Sequence, residues 1–176
     1  GASLTDLQWV VDSYVLALAA LTLMAGSLAD RLGRKLVFTI GLAAFTAASL
    51  FAGFATDALT LNIARGLQGI GGAAMFGTVL ALIAQEFGPR ERKTALGIWG
   101  ASVGVGVAVG PLVGGVLADS LGWEWIFFVN VPVGLLTIAL ALTKLREARD
   151  PSPGRLDWAG LGTFSSALFL LVFGVL

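Results

Sequence analysis

Long apolar segments separated by short charged loops are the dominant pattern of this chain. Six segments stand out, roughly residues 7–29, 36–56, 58–87, 94–118, 123–143 and 157–176. Each has about twenty residues or more, enough for an α-helix rising ~1.5 Å per residue to cross a hydrocarbon core of ~30 Å. The pattern therefore predicts an all-α integral membrane protein with six transmembrane helices.

Basic residues predict the orientation of these spans. Ten of the eleven Lys and Arg residues lie in three loops, namely Arg31, Arg34, Lys35, Arg90, Arg92, Lys93, Lys144, Arg146, Arg149 and Arg155. The two loops between them, around residue 57 and over residues 119–124, contain no Lys or Arg. Because Lys and Arg stay on the cytoplasmic side of multi-spanning proteins, both ends of the chain are expected outside. Trp9, Trp123 and Trp125 then serve as anchors at the outer interface.

The chain divides at one linker-like stretch. Residues 1–146 are predicted to form part of a transmembrane bundle, and residues 157–176 a further transmembrane helix. Residues 147–156 contain Pro151 and Pro153 and are predicted to form a cytoplasmic linker. The chain starts with Gly, and no cleavable signal segment is visible, so we expect an internal piece of a longer protein.

Composition excludes several classes of function. The chain is 57% hydrophobic and only 12% charged, whereas about a quarter of the residues of a soluble domain are charged. It contains no Cys and no His, which excludes disulfides, zinc sites and imidazole proton relays. Its net charge is zero and its basic residues are confined to loops, so no nucleic-acid surface is expected. We expect no enzyme activity, no metal site and no cofactor, and any transported proton would need a carboxylate.

An internal sequence repeat occurs at the ends of the first and fourth predicted spans. Residues 25–34 (AGSLADRLGR) and 114–123 (GGVLADSLGW) agree at six of ten positions, 89 residues apart. Three spans separate the copies, so the copies have opposite orientation in the membrane. Inverted three-helix repeats of this kind underlie many secondary transporters. Chance similarity between helices rich in Gly, Ala and Leu is the alternative.

Arg65 and Asp12 are charged residues inside predicted spans. Arg65 lies about seven residues into the third span, and Asp12 about five residues into the first. Burying a guanidinium there costs at least ~2.5–3.5 kcal/mol, so Arg65 is expected to face the protein interior or a water-filled cavity. Both spans run from outside to inside, so the two residues have similar depth. We hypothesise that they share a cavity in which Arg65 tunes the protonation of Asp12. A static ion pair near the outer interface is the alternative.

Gln68 follows Arg65 by about one helical turn and lies on nearly the same face. Its amide suits the lining of a polar cavity beside the charge. A hydrogen bond between neighbouring helices explains it nearly as well.

A glycine ridge with a proline marks the fourth span. Gly106, Gly110 and Gly114 recur every four residues, followed by Gly115, and Pro111 lies among them. Glycines at this spacing allow a second helix backbone to approach closely, and Pro111 is expected to kink the helix. The ridge is predicted to slide and seal during transport, or to pack rigidly.

The turn after the first span carries a dense set of polar and small residues. Residues 26–35 (GSLADRLGRK) are predicted to end the span and form a tight cytoplasmic loop at Asp30 and Gly33. An orientation signal alone would require only the three cations. We therefore predict a cytoplasmic gating loop formed by Gly26, Asp30, Arg31, Gly33, Arg34 and Lys35.

These segments together resemble the major facilitator superfamily, and most closely its bacterial drug:proton antiporters with fourteen membrane helices. The similar motifs, in chain order, are LQWVVDSYVLA at 7–17, GSLADRLGRK at 26–35, ARGLQGIGGA at 64–73, GVGVAVGPLVGG at 104–115 and WEWIFFVNVPVG at 123–134. The resemblance implies a major-facilitator bundle in which the six spans are helices two to seven. It implies that the first helix and the carboxy-terminal half are missing.

The same resemblance implies roles for the residues of these motifs. Arg65 would act in proton coupling, and the glycine and proline motif of the fourth span would close the leak path. Gly26, Asp30 and Arg34 would latch the cytoplasmic side against a carboxy-terminal helix. Glu124 departs from the family pattern, which usually has Arg at that position, so an outer ion pair based on that Arg is not expected.

The leading functional hypothesis is proton-coupled efflux of amphipathic or cationic drugs across a bacterial cytoplasmic membrane. The expected partners are a small-molecule substrate, protons, the lipid bilayer and the missing carboxy-terminal half. A porter for a metabolite, sugar or peptide is the first alternative, and proton dependence and substrate charge would separate the two. A membrane scaffold or sensor that transports nothing is the second, although a scaffold gives no reason to bury Asp12 and Arg65.

Overall fold

The computed structural model describes residues 4–149 and 157–175, and every regular element in these ranges is an α-helix. The helices are α1 (Leu4–Leu32), α2 (Arg34–Gly53), α3 (Ala58–Glu86), α4 (Pro89–Ser120), α5 (Trp125–Phe128), α6 (Asn130–Lys144) and α7 (Trp158–Val175). Within the described ranges, five spans are long and apolar enough to cross a membrane: α1, α2, α3, α4 and the run Trp125–Lys144 formed by α5 and α6. The shorter helix α7 is also apolar. The predicted all-α membrane fold is confirmed.

Two helix bounds differ from the sequence-based prediction. The fifth span is divided into α5 and α6 at Val129, which keeps an α-helical backbone conformation with φ −60° and ψ −26°. Pro132 explains this position, because proline lacks an N–H donor and cannot bond the carbonyl of Phe128 four residues earlier. The first span continues to Leu32, so only Gly33 separates α1 from α2.

Helix α3 lies between α1 and α2 and packs closely on both. A Cβ atom on Gly71 would lie 2.6 Å from the carbonyl oxygen of Gly41 on α2. A Cβ atom on Gly77 would lie 2.6 Å from the carbonyl oxygen of Thr22 on α1. Because only small residues allow such backbone approaches, the glycines of α3 set the spacing of this three-helix unit.

Contacts along α3 give the direction of each neighbour. Tyr14 of α1 lies beside Gly69 and Thr22 beside Gly77, so α1 and α3 are parallel. On α2 the order is reversed, because Gly41 lies beside Gly71 and Ser49 contacts Gln68. The alternating directions agree with the topology predicted from the basic loops.

Asp57 begins α3. Its carboxylate accepts hydrogen bonds from the backbone N–H and the hydroxyl of Thr60, at 2.8 and 2.7 Å. These bonds favour the ionised carboxylate and hold the pKa of Asp57 below its ordinary value of 3.8. An acidic N-cap satisfies a backbone donor that has no partner within the helix.

Helix α4 has few neighbours. Its residues from Ala101 to Val113 are all exposed, including Val107 and Leu112, which are 73% and 71% accessible. Where it meets α3, near its start, Phe76 and Trp99 make an edge-to-face contact. The rest of α4 presents an apolar surface.

The structure describes only part of the predicted linker at residues 147–156. Residues 145–149 form no regular element and lie against the start of α2 and the end of α3, whereas residues 150–156 fall outside the described residues. Helix α7 packs on α1, with the rings of Trp9 and Phe173 5.7 Å apart. The proposed separation of the last helix from the bundle thus stays a prediction.

The two copies of the internal repeat end in similar turns. Gly33 follows α1 with φ 123°, and Gly122 follows α4 with φ 107°; these are the two positive-φ glycines of the described residues. In each turn a glutamate carboxylate lies where a glycine Cβ would be, Glu147 at Gly33 and Glu124 at Gly122. The repeat is therefore visible in backbone conformation as well as in sequence.

Candidate functional site

Arg65 is held between α1 and α3 by three groups. Its Nε donates a hydrogen bond to the carbonyl oxygen of Val10, 2.8 Å away on α1. Its Nη1 donates to Oε1 of Gln68, 2.9 Å away on α3. The guanidinium carbon lies 4.4 Å from the centroid of the Tyr14 ring. The side chain is half-buried, so a fixed cation is positioned inside the bundle while part of it remains accessible.

Gln68 joins this cation to α2. It is 1% exposed, and its Nε2 donates to the hydroxyl of the fully buried Ser49, 2.6 Å away. Ser49 in turn donates to the carbonyl oxygen of Phe45 at 2.8 Å. A guanidinium offers only donors, so Gln68 must present its carbonyl oxygen to Arg65 and its amide nitrogen to Ser49. The result is a directional hydrogen-bond chain across three helices.

Asp12 lies close to the depth of Arg65 but on another side of α1. The hydrogen bond of Val10 with Arg65 pairs positions 55 residues apart, and the contact of Tyr14 with Gly69 has the same register, so residue 12 lies two positions, or ~3 Å, beyond the level of Arg65. Tyr14 faces α3, and two residues along a helix correspond to a rotation of about 200°. Accordingly, no salt bridge joins Asp12 and Arg65 within the described residues. The structure brings Gln68 to Arg65 and does not bring Asp12 to it.

Asp12 and Asn62 lie near this network, and each has a side-chain oxygen that accepts no hydrogen bond from another described residue. Asp12 is half-buried, and the structure gives its carboxylate no hydrogen bond or ion pair with another described residue. Asn62 lies one turn before Arg65, and its side-chain oxygen is buried without a hydrogen-bond partner in the described part of the chain. Such atoms can accept a proton or a donor from a ligand or water.

A cavity of about 720 Å³ opens at the outer ends of α1, α3 and α5. Its lining is largely apolar and includes Leu61, Trp123 and Phe127 together with Asp6 and Asp57. Val10 also lines it, and the Val10 carbonyl is the acceptor for Arg65. The buried network therefore begins directly beside a space of the size that small molecules occupy.

The cytoplasmic residues predicted to form a gating loop are mostly helical. Gly26, Asp30 and Arg31 belong to α1, and Arg34 and Lys35 begin α2, which leaves Gly33 as the only connecting residue. The predicted tight loop at Asp30 is thus wrong, because Gly33 with its positive φ reverses the chain alone.

Two of these residues form an ion pair across the turn. Asp30 accepts from Nε and Nη2 of Arg34 at 3.0 and 2.9 Å. Gly26 contacts α3 instead of the turn, since a Cβ there would lie 3.2 Å from the Gly77 carbonyl oxygen.

The glycine ridge of α4 makes no close contact. Nothing in the described residues lies within 4 Å of a Cβ atom added at Gly106, Gly110, Gly114 or Gly115. Helix α4 also continues through Pro111 without interruption. The closely packed glycines are on α3, between Gly69 and Gly77, and their irregular spacing hid this packing from sequence analysis.

Sequence reasoning did not connect Tyr14, Ser49 or Glu147 with the site. Tyr14 lies two spans before Arg65 and Ser49 one span before it, and no local motif marks either as its neighbour. The Glu147 carboxylate accepts hydrogen bonds from backbone N–H groups at the start of α2, although more than a hundred residues separate them in sequence. Only its acidic character among basic neighbours could have drawn attention to it.

Comparison with known proteins identifies the family. The model of the Major Facilitator Superfamily matches residues 1–176. The chain is 46% identical to an uncharacterized MFS-type transporter of Mycobacterium tuberculosis, over 95% of this chain and 29% of that protein. It is 40% identical to the tetracenomycin C resistance and export protein of Streptomyces glaucescens, over 99% of this chain and 33% of that protein. It is 37% identical to the multidrug transporter protein MdtP of Bacillus subtilis, over 97% of this chain and 32% of that protein.

The chain spans about a third of the length of these curated relatives. All three relatives are bacterial, and the membrane-length helices agree with a multi-pass location in a bacterial membrane. The chain belongs to the Major Facilitator Superfamily.

Proposed function

We propose that this chain is part of a proton-coupled antiporter that exports amphipathic, often cationic, compounds across the cytoplasmic membrane. The observation that carries the proposal is the fixed guanidinium of Arg65, within ~3 Å of the depth of the half-buried Asp12, whose carboxylate has no ion pair with another described residue. Ionisable residues inside membrane spans mark ion and substrate pathways, because they are costly to bury without such a role. The names of the export and multidrug relatives support the same class of function.

The two charges have different proposed roles. Arg65 is a permanent cation locked by Val10, Gln68 and Tyr14, so it sets the local field and does not exchange protons. Asp12 is the exchangeable group, because in a chain without His a carboxylate is the side chain suited to carrying the proton. A proton and a cationic substrate would compete for Asp12, and such competition couples their movements in opposite directions.

Alternating access requires a second bundle. The curated relatives are about three times as long as this chain, and we propose that a carboxy-terminal half completes the transporter. The domain division at residues 147–156 belongs to the same proposal. Gly106, Gly110, Pro111, Gly114 and Gly115 would pack against helices outside this segment, which would explain their exposure here.

Transport by the longer protein in inverted membrane vesicles tests this function. With an imposed pH gradient, uptake of a cationic dye is expected for the wild type and not for Asp12→Asn. Arg65→Lys is expected to lose most uptake, because an ammonium cannot bond Val10 and Gln68 through a planar fork while lying on the Tyr14 ring. Asp119→Asn is the matched control, since it removes an exposed carboxylate at the outer end of α4. Unchanged gradient-driven uptake in Asp12→Asn would refute the proposed coupling.

A further inference from the structure

The chain beyond α6 stays on the cytoplasmic surface of the bundle. We call residues 145–149 the strap. The backbone N–H of Arg146 donates to Oε1 of Glu86 at 2.9 Å, and Nε2 of Gln85 donates to the Arg146 carbonyl at 2.8 Å. The backbone N–H of Arg34 donates to the Ala148 carbonyl at 3.1 Å. The strap therefore connects the end of α3 with the start of α2.

Glu147 is the side chain that binds the strap to α2. Its two carboxylate oxygens accept the backbone N–H groups of Lys35 and Leu36, at 3.1 and 3.0 Å. The first N–H groups of a helix have no partner within the helix, and the N-cap Gly33 has no side chain to supply one. A carboxylate at this position also interacts favourably with the helix dipole. Glu147 thus caps α2 from more than a hundred residues away in sequence.

The turn between α1 and α2 is shaped to receive this carboxylate. A Cβ atom on Gly33 would lie 2.5 Å from Oε1 and 2.6 Å from Cδ of Glu147. Real Cβ atoms do not approach so closely, so a side chain at residue 33 and Glu147 in its present position exclude each other. Gly33 is favoured by its φ of 123°, and its lack of a side chain leaves the space that the Glu147 carboxylate fills.

We propose that Glu147 is a positioning residue for the cytoplasmic turn and sets the rate of the transport cycle. It holds the end of α6 and the start of α2 together, as does Nζ of Lys35, which donates to the Leu142 carbonyl at 2.7 Å. The Asp30–Arg34 pair lies in the same turn. When the turn rearranges on the cytoplasmic side, the strap must release or move with it. The consequence for transport rests on the proposed function, whereas the contact itself does not.

Thiol labelling tests the contact directly. The chain contains no Cys, so Ala148→Cys introduces one thiol into a partly buried strap position that bonds through its backbone carbonyl. In the longer protein, with any other cysteines replaced, a charged maleimide would be added to inverted vesicles. Glu147→Ala is expected to label about tenfold faster than the parent, because the capping bonds to a charged group are lost. Glu147→Gln is expected to be intermediate, since the amide oxygen still accepts one N–H. Glu91→Ala, which removes an exposed glutamate from the first turn of α4, is the control.

A double-mutant cycle separates this contact from general damage to the fold. Gly33→Ala should accelerate labelling more in the parent than in the Glu147→Ala background, because the backbone strain acts in both and the steric conflict with Glu147 acts only in the parent. Additive effects of the two substitutions, or equal labelling of Glu147→Ala and parent, would overturn the proposal.

Transport kinetics supply the second readout. Glu147→Ala is expected to lower kcat severalfold with little change in KM, whereas Glu91→Ala changes neither. A changed KM with unchanged kcat would contradict a role in the cycle. If the wild-type protein exports nothing, the proposed function fails, while the labelling result still decides whether Glu147 holds the strap.

Discussion

The guanidinium carbon of Arg65 lies 4.4 Å from the centre of the Tyr14 ring, which joins α3 to α1 through a cation–π contact. The Tyr14 hydroxyl makes no hydrogen bond to any described residue. Such contacts are worth ~0.5–1 kcal/mol at exposed sites and ~2 kcal/mol when desolvated. The aromatic face, and not the hydroxyl, is therefore the part of Tyr14 that stabilises the buried charge.

Replacing Tyr14 distinguishes the ring from the hydroxyl. Tyr14→Phe is expected to retain transport and thermal stability, because the ring remains over Arg65. Tyr14→Leu should lower stability by ~1–2 kcal/mol and reduce transport, because the cation loses its aromatic partner. Thermal unfolding in detergent and dye uptake measure the two effects. Equal loss in both variants would assign the effect to the hydroxyl.

Gln68→Leu should interrupt the hydrogen-bond chain from Arg65 to Ser49. Leucine is apolar and of similar size, so the change leaves Nη1 of Arg65 without its acceptor at a buried position. A loss of ~1–3 kcal/mol in stability and a strong loss of transport are expected. Gln8→Leu is the matched control, since Gln8 is exposed on α1 and its replacement should change stability by less than ~0.5 kcal/mol. A Gln68→Leu protein as stable and active as the wild type would show that the chain is dispensable.

Two glycines of α3 should respond oppositely to alanine. A Cβ at Gly71 would lie 2.6 Å from the backbone of both Gly41 and Phe45, so Gly71→Ala must push α2 away. A loss of ~1–3 kcal/mol is expected from such overpacking. Gly66→Ala meets nothing within 4 Å and should be neutral or stabilising by up to ~1 kcal/mol, because alanine favours helix. Thermal midpoints of the two variants test the close approach of α2 and α3.

The Asp57 cap should make stability depend on pH in acid. Because the pKa of Asp57 is lower in the folded protein than its ordinary 3.8, its stabilising contribution is complete above that value. The contribution is lost as the pH falls through the lowered folded-state pKa. Asp57→Asn keeps a capping oxygen and should lose this part of the pH dependence, whereas Asp57→Ala should lose the cap at every pH. Thermal midpoints between about pH 7 and pH 3 would show the difference. Parallel curves for wild type and Asp57→Asn would contradict the assignment.

Charge placement and hydropathy were sufficient to predict the spans and their directions, because a membrane requires long apolar helices and retains Lys and Arg on one side. The same rules do not show how a turn is made. Asp30 and Arg31 carry charges and were assigned to a loop, yet they lie in the last turn of α1. Only the backbone conformation of Gly33 shows that one residue is enough to connect α1 with α2.

Depth in the membrane could be derived from sequence, but rotation about the helix axis could not. Counting from the span ends puts Asp12 and Arg65 at similar depth, and the register of α1 on α3 places them within ~3 Å of each other along the helix axes. The face that each residue presents depends on which helices are neighbours. Tyr14 and Asp12 are two positions apart, and only the contact with α3 shows that Tyr14 faces Arg65.

The same limit applies to the glycines. Gly106, Gly110 and Gly114 have the regular spacing that sequence rules favour, while Gly69, Gly71 and Gly72 have none. Spacing describes one helix, whereas close approach is a property of two. The structure places α1 and α2 against α3 and leaves that part of α4 without a neighbour in the described residues.

The order in which the partners of Arg65 occur in the sequence has a consequence for biosynthesis. The partners Val10 and Tyr14 precede Arg65 in sequence. Ser49, which ends the hydrogen-bond chain that runs from Arg65 through Gln68, also precedes it. When α3 leaves the ribosome, the groups of α1 and α2 that interact with the Arg65 guanidinium have already been synthesised. They can therefore be present at the translocon. The earlier helices can therefore stabilise α3 during its insertion. Removal of either α1 or α2 should cause α3 to be misinserted or degraded, and not merely packed less well.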